Sequence, residues 1–204
     1  MKKIEGKNKP LQEQIKILEF ILLKNETLKK ILLKLQKTSI VNYNYYVGAG
    51  SVNQTVFNYY HDYPLDNGIE DFDIVYFDED TSYEKEDKII KEIEKELKDL
   101  NVNFDIKNQA RVHLWYNKKY NTNYNKKYKN TEEAISRWNT TVTCIGVRME
   151  KNHLIVHAPY GLDDLFKLTI RPQKHEFSKE LYDQKSKKWL KKWPNLKIIP
   201  WEEE

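Results

Sequence analysis

The stretch Glu70-Asp71-Phe72-Asp73-Ile74-Val75-Tyr76-Phe77-Asp78 limits what this chain can fold into more than any other. It reads as a short strand, and strand alternation puts Asp71 and Asp73 on the same face. Adjacent carboxylates repel each other and resist desolvation. The pair therefore calls for a cation between them or for a well-solvated strand end. The apolar run from Ile74 to Phe77 carries the strand into a core, so its acidic start belongs at the rim of that core. An Asp-x-Asp pair alone is common on surfaces and decides nothing; the flanking elements have to decide.

Before the pair, Asn44 to Val47 reads as a strand running into a tight turn, Gly48-Ala49-Gly50-Ser51, and Val52 to Tyr60 as a short helix. Pro64 and Asn67-Gly68 mark the loop that leads to the acidic strand. After it, Ile89, Ile90, Ile93, Leu97 and Leu100 form the apolar stripe of a helix over 82–100. Residues 102–113 alternate as a further strand. Asp105, Lys107, Gln109, Arg111 and His113 fall on one side, and Phe104, Ile106, Asn108, Ala110 and Val112 on the core side. Thr131 is the expected cap of a helix through Trp138, and a hairpin is expected around Lys151-Asn152. Two tandem helices precede all this, and a basic helix over 178–193 follows it.

The expected fold is α/β, a mixed sheet flanked by helices. It forms one domain over 1–204, with a helical preface (1–38), a core (39–172) and a C-terminal helical tail (173–204).

Composition narrows the function. A net charge of +4 allows an anionic partner without requiring one. Cys144 is the single cysteine, which excludes an intrachain disulfide and a cysteine-built zinc site. The N-terminus lacks a signal-peptide apolar region. The apolar run from Ile15 to Leu23 is interrupted by Lys16 and Glu19 and is too short for a bilayer. A cytoplasmic protein with no membrane partner is the expectation.

The order of strand, glycine-rich turn, helix, acidic strand, helix and a strand bearing Asp105 can place three carboxylates and a phosphate cradle on one sheet. Hard oxygen ligands of this kind suit Mg²⁺ (or Mn²⁺), completed by substrate phosphates. Backbone N–H groups of the turn and the next helix N-terminus favour phosphate. Each residue also has a plainer reading. Asp105 reads equally as a solvated strand charge, and Ser51 equally as a helix cap. Lys107 and Arg111 would either neutralise a triphosphate or form salt bridges. The Tyr/Lys/Asn-rich loop from Tyr116 to Tyr128 is a solvated loop or a base-stacking surface. The stretch Lys187-Lys188-Trp189-Leu190-Lys191-Lys192-Trp193 fits a helix docked through Trp189, Leu190 and Trp193, or an RNA- or membrane-facing surface.

Together these residues resemble the nucleotidyltransferase superfamily that includes DNA polymerase β and the head domain of CCA-adding enzymes. The similarity is closer still to a bacterial family of nucleotidyltransferase-like proteins. It is carried by Gly48-Ala49-Gly50-Ser51 with Asn53, by Asp71 to Asp78, by Lys107 to His113, by Trp138-Asn139-Thr140-Thr141, by Ile145-Gly146-Val147-Arg148, by Ala158 to Phe166 and by Ile170-Arg171-Pro172. The resemblance implies a triphosphate-binding turn at Gly48, Gly50 and Ser51, a metal pair at Asp71 and Asp73, and a third metal-binding carboxylate at Asp105. It implies transfer of a nucleoside monophosphate from an NTP to an acceptor, which is an RNA, a protein or a small molecule. A catalytically inactive nucleotide- or RNA-binding module on the same fold is the alternative. Two departures stand out. The interval from Ser51 to Asp71 is long for the superfamily. The Arg-Asp that follows the turn in CCA-adding enzymes is replaced by Val52-Asn53.

Overall fold

A computed structural model describes residues 3–120, 126–175 and 178–203. In chain order the elements are α1 (Leu11–Leu22), α2 (Glu26–Leu35), β1 (Tyr46–Gly48), α3 (Gly50–His61), β2 (Phe72–Tyr76), α4 (Tyr83–Leu97), β3 (Phe104–Asn108), α5 (Val112–Tyr120), α6 (Thr131–Ile135), β4 (Gly146–Glu150), β5 (His153–His157), α7 (Asp163–Phe166), β6 (Thr169–Ile170), α8 (Lys179–Lys192) and β7 (Lys197–Ile198).

Local chemistry sets several of these limits. Asn25 caps α2, its side chain accepting from the Leu28 N–H at 3.1 Å. In α4, Ile89, Ile93 and Leu97 are buried, and the Lys/Glu-rich remainder faces outward. Lys151 and Asn152 both take positive φ, as a two-residue hairpin turn requires, and join β4 to β5. The cap of α6 is Asn130 rather than Thr131, since the Asn130 side chain accepts from the Glu133 N–H at 2.7 Å.

Five strands form a mixed sheet in the order β3-β2-β1-β4-β5. Within this sheet β2 and β3 are the one parallel pair, because α4 crosses over between them. One face of the sheet, with Phe72, Ile74, Tyr76, Ile106 and Val147, packs on α1 to α4 in the main core. The other face carries Tyr46 and Val75 and is covered by Ile135 and Trp138. The chain beyond residue 172 joins the same core: Tyr182, Trp189 and Trp193 are buried in it, and β7 pairs with β6. Leu190, expected to help dock α8, is instead exposed. Part of the Tyr/Lys/Asn-rich loop, residues 121–125, lies outside the described residues.

Candidate active site

Strand register brings the predicted residues together. Gly48, at the end of β1, lies opposite Asp73 of β2, and Asp73 lies opposite Asp105 of β3. Three strands thus contribute one residue each to a row where β1 finishes and β2 and β3 begin. Asp71 precedes β2 and is exposed; Asp73, on the same face, is partly buried.

The turn after β1 is held tightly. A Cβ at position 48 would lie 2.8 Å from the Ile145 carbonyl and 2.9 Å from the Trp138 ring, so only glycine fits there. Ala49 takes a φ of 49°, a strained value for a residue with a side chain, and so reverses the chain into α3. The fully buried Ser51 donates its hydroxyl to the Gly48 carbonyl at 2.9 Å. Ser51 therefore braces the turn and keeps its hydroxyl out of the cleft. What the turn offers an anion is the N-terminus of α3, where Gly50 lines the cleft.

Asp73 is the most perturbed acid of the row. Burial, then repulsion from Asp71 and Asp105, raises its pKa to about 7 against the pull of Lys185 and Lys107. Asp105 is ion-paired with Lys107, whose ammonium also sits 5.6 Å from the centre of the Trp115 ring.

Arg111 and His113 do not join this face. The strand expected over 102–113 stops at Asn108, whose side-chain oxygen accepts from the N–H groups of Asp78 and Ala110, both at 3.0 Å. Those bonds turn the chain into a 3₁₀ segment, Gln109–Arg111, and then into α5, which holds His113. Arg111 is drawn to α4 instead, 2.8 Å from Glu86, with a further bond to the Thr81 carbonyl. Its expected contact with a nucleotide is lost with the strand.

A cleft of about 340 Å³ opens before Asp71 and Asp73, bordered by Gly50, Gln54, Trp138 and Asn139. The side-chain oxygens of Gln54 and Asn139 are buried without a hydrogen-bond partner among the described residues, so both keep acceptor capacity for a ligand. Lys185, Lys188 and Lys192 of α8 complete the lining. Burial lowers the Lys185 pKa while Asp73 and Asp71 oppose that shift. Trp138 also borders a narrower slot of about 150 Å³, lined by Asp105, Lys107, Trp115 and Tyr128.

The sequence reading missed the lysines, Gln54, Asn139 and Trp138 as cleft residues. Only the lysines left a usable signal. Positions 185, 188 and 192 share a helix face with Trp189, so a helix docked through Trp189 presents them to whatever it docks against.

The donor set suits a hard divalent cation, with carboxylates on one face and a third in register beside them. Among the described residues, no three His, Cys, Asp or Glu side chains close into a metal site by themselves. A cation here would need ligands from its substrate, the usual arrangement for Mg²⁺.

A family model described as nucleotidyltransferase matches residues 39–198. No curated protein matches the chain. Among solved structures, an NMR structure described as revealing a CCA-adding enzyme head domain is similar, with 24% identity and a TM-score of 0.71. It covers 89% of this chain and 95% of its own. At that identity the likeness bears on the fold, and it agrees with the expected mixed sheet flanked by helices.

Proposed function

The chain belongs to the nucleotidyltransferase family, and from that premise we propose that it transfers a nucleoside monophosphate from an NTP to an acceptor hydroxyl or phosphate, with Mg²⁺ or Mn²⁺ held by Asp71 and Asp73. The observation that carries this reading is the register row Gly48–Asp73–Asp105 beside the α3 N-terminus. When bound, the cation would neutralise phosphate charge and draw electrons from the reacting phosphorus.

The chain's own groups have distinct tasks. N–H groups at the start of α3 receive the phosphate oxygens. Asp105 lies on the slot side of Asp73 and takes the proton of the acceptor hydroxyl. The acceptor oxygen then bonds to the α-phosphorus, the bond to the bridging oxygen breaks, and pyrophosphate leaves through the cleft. Gln54 and Asn139 orient the nucleotide through their unpaired oxygens. The acceptor is an RNA, a protein or a small molecule, reached in the cytoplasm; among the described residues, no helix is long and apolar enough to cross a membrane.

One observation favours a binding module without catalysis: Lys107 already occupies Asp105. A single comparison separates the two readings. Wild type and Asp73→Asn are incubated with α-phosphate-labelled NTPs, divalent cation and cell lysate. Transfer of label by wild type, falling on the order of 10²-fold or more in the variant, is expected. Mg²⁺-dependent NTP binding with no transferred label would favour the module. NTP-induced thermal shifts unchanged in Asp73→Asn would overturn the metal assignment.

A further inference from the structure

We propose that Lys185, Lys188 and Lys192 form a polyphosphate-binding cradle on α8, and that Glu70 occupies it as a displaceable anionic plug when no ligand is bound. Naming the anion as the triphosphate of an NTP, or the pyrophosphate released from it, rests on the nucleotidyl-transfer reading; the cradle itself rests on geometry.

The three lysines sit at i, i+3 and i+7 and line the cleft that holds Asp71 and Asp73. Two of them grip one carboxylate. Lys188 donates to both oxygens of Glu70, at 2.8 and 3.1 Å, and Lys192 donates to one at 3.1 Å. Lys192 also reaches the Gly68 carbonyl at 3.3 Å. A carboxylate between two ammonium groups imitates a phosphate oxygen pair. The third cation, Lys185, has no hydrogen bond or salt bridge among the described residues, and its ammonium stands 5.0 Å from the Trp189 ring centre. Asp73 and Asp71 attract this ammonium through space but form no direct ion pair with it, so Lys185 keeps its N–H donors for an incoming anion.

Glu70 is suited to leave. Its side chain is 64% exposed. It lies outside β2, two residues after Gly68, which has a φ of 73°. Exposed lysine–carboxylate pairs contribute little stability, whereas pyrophosphate brings several charges to all three lysines at once. The helix supporting the cradle is fixed on α3, the helix that begins at the glycine turn. The Trp193 Nε1–H donates to Asn58 at 2.7 Å, and the rings of Trp189 and Trp193 lie 5.9 and 5.6 Å from Phe57. The cradle and the turn are thus held in one frame.

The test is calorimetric titration of the full chain with inorganic pyrophosphate in EDTA, with circular dichroism to confirm folding. Lys185→Gln and the double variant Lys188→Gln/Lys192→Gln should each weaken pyrophosphate about tenfold or more, and Glu70→Gln should tighten it about threefold or more. The control Lys187→Gln/Lys191→Gln removes the same charge from exposed positions of α8 and should leave binding within about twofold. Cradle variants that bind like wild type, or a control pair that loses as much as the cradle pair, overturn the cradle. A Glu70→Gln variant with unchanged or weaker binding overturns the plug. Titration with Mg²⁺ and each NTP in Asp73→Asn separates the two proposals. If Mg²⁺-NTP binding survives that substitution while metal-free pyrophosphate still depends on the lysines, the metal-dependent transfer reading fails and the cradle stands.

Discussion

Asp73 carries the clearest electrostatic consequence. Its carboxyl has a pKa of about 7 in the folded chain, against an ordinary value of 3.8. Well below pH 4 it is protonated in both folded and unfolded states and contributes no difference. As pH rises, the unfolded chain releases this proton first, so the folded state loses stability up to about pH 7, and the loss is complete above that. The cost at alkaline pH is on the order of 2–4 kcal/mol for the metal-free protein. Asp73→Asn removes the charge and should therefore raise the melting temperature at pH 8 in EDTA, with a much smaller gain at pH 4.5. Scanning fluorimetry at the two pH values checks this, and an equal effect at both would show that the carboxyl is not held near 7. Competition between protons and cation at the same oxygens also predicts that any Mg²⁺-induced stabilisation shrinks below pH 7.

Among the elements, the β1–α3 turn is the least tolerant of change. Gly48 lies between the Ile145 carbonyl and the Trp138 ring, and Gly48→Ala would place a carbon at 2.8–2.9 Å from both. The backbone carbonyl belongs to the segment entering β4 and cannot step aside cheaply, so roughly 1–3 kcal/mol of destabilisation is expected. Nucleotide binding should fall further than stability, because Trp138 borders both cleft and slot. Urea unfolding alongside NTP titration would show the two losses; a fully stable variant with normal binding would contradict the packing. This element also shows what the sequence could reveal. The glycine turn, the acidic strand and Asp105 were legible because their spacing is local and strand register aligns them. The end of β3 was not, because alternation continues unbroken through His113. The break comes from Asn108 bonding to Asp78, 30 residues away in the chain. Arg111 was misplaced with it, drawn from its 3₁₀ segment to Glu86 of α4 by a tertiary contact that periodicity does not encode. Ser51 was read as a helix cap or a phosphate ligand; it lies inside α3, whose N-cap is Ala49, and its hydroxyl donates to the Gly48 carbonyl, a direction that depended on the fold.

At the scale of the whole molecule, the C-terminal helix connects stability to the cleft. The main core receives Trp193, the residue that ends α8, fully buried, and its indole N–H meets Asn58, which also donates from its side-chain amide to the carbonyls of Leu65 and Asn67 at 3.1 and 2.8 Å. One tryptophan thus secures α8 and, through Asn58, the loop that delivers Glu70 and Asp71 to the cleft. Trp193→Ala would leave a large cavity beside Phe57 and free Asn58 from one partner, a loss of roughly 3–5 kcal/mol. Trp193→Phe would keep most of the packing but leave a smaller gap and the buried Asn58 oxygen without its donor, roughly 1–3 kcal/mol. If α8 is a functional wall as well as a structural brace, Trp193→Phe should retain pyrophosphate binding, and Trp193→Ala should lose it even below its melting temperature, because the lysines no longer face the carboxylates. Chemical denaturation with parallel pyrophosphate titration of both variants measures this. A Trp193→Ala protein that remains folded and binds pyrophosphate normally would show that α8 is held, and the cleft shaped, by contacts other than this side chain.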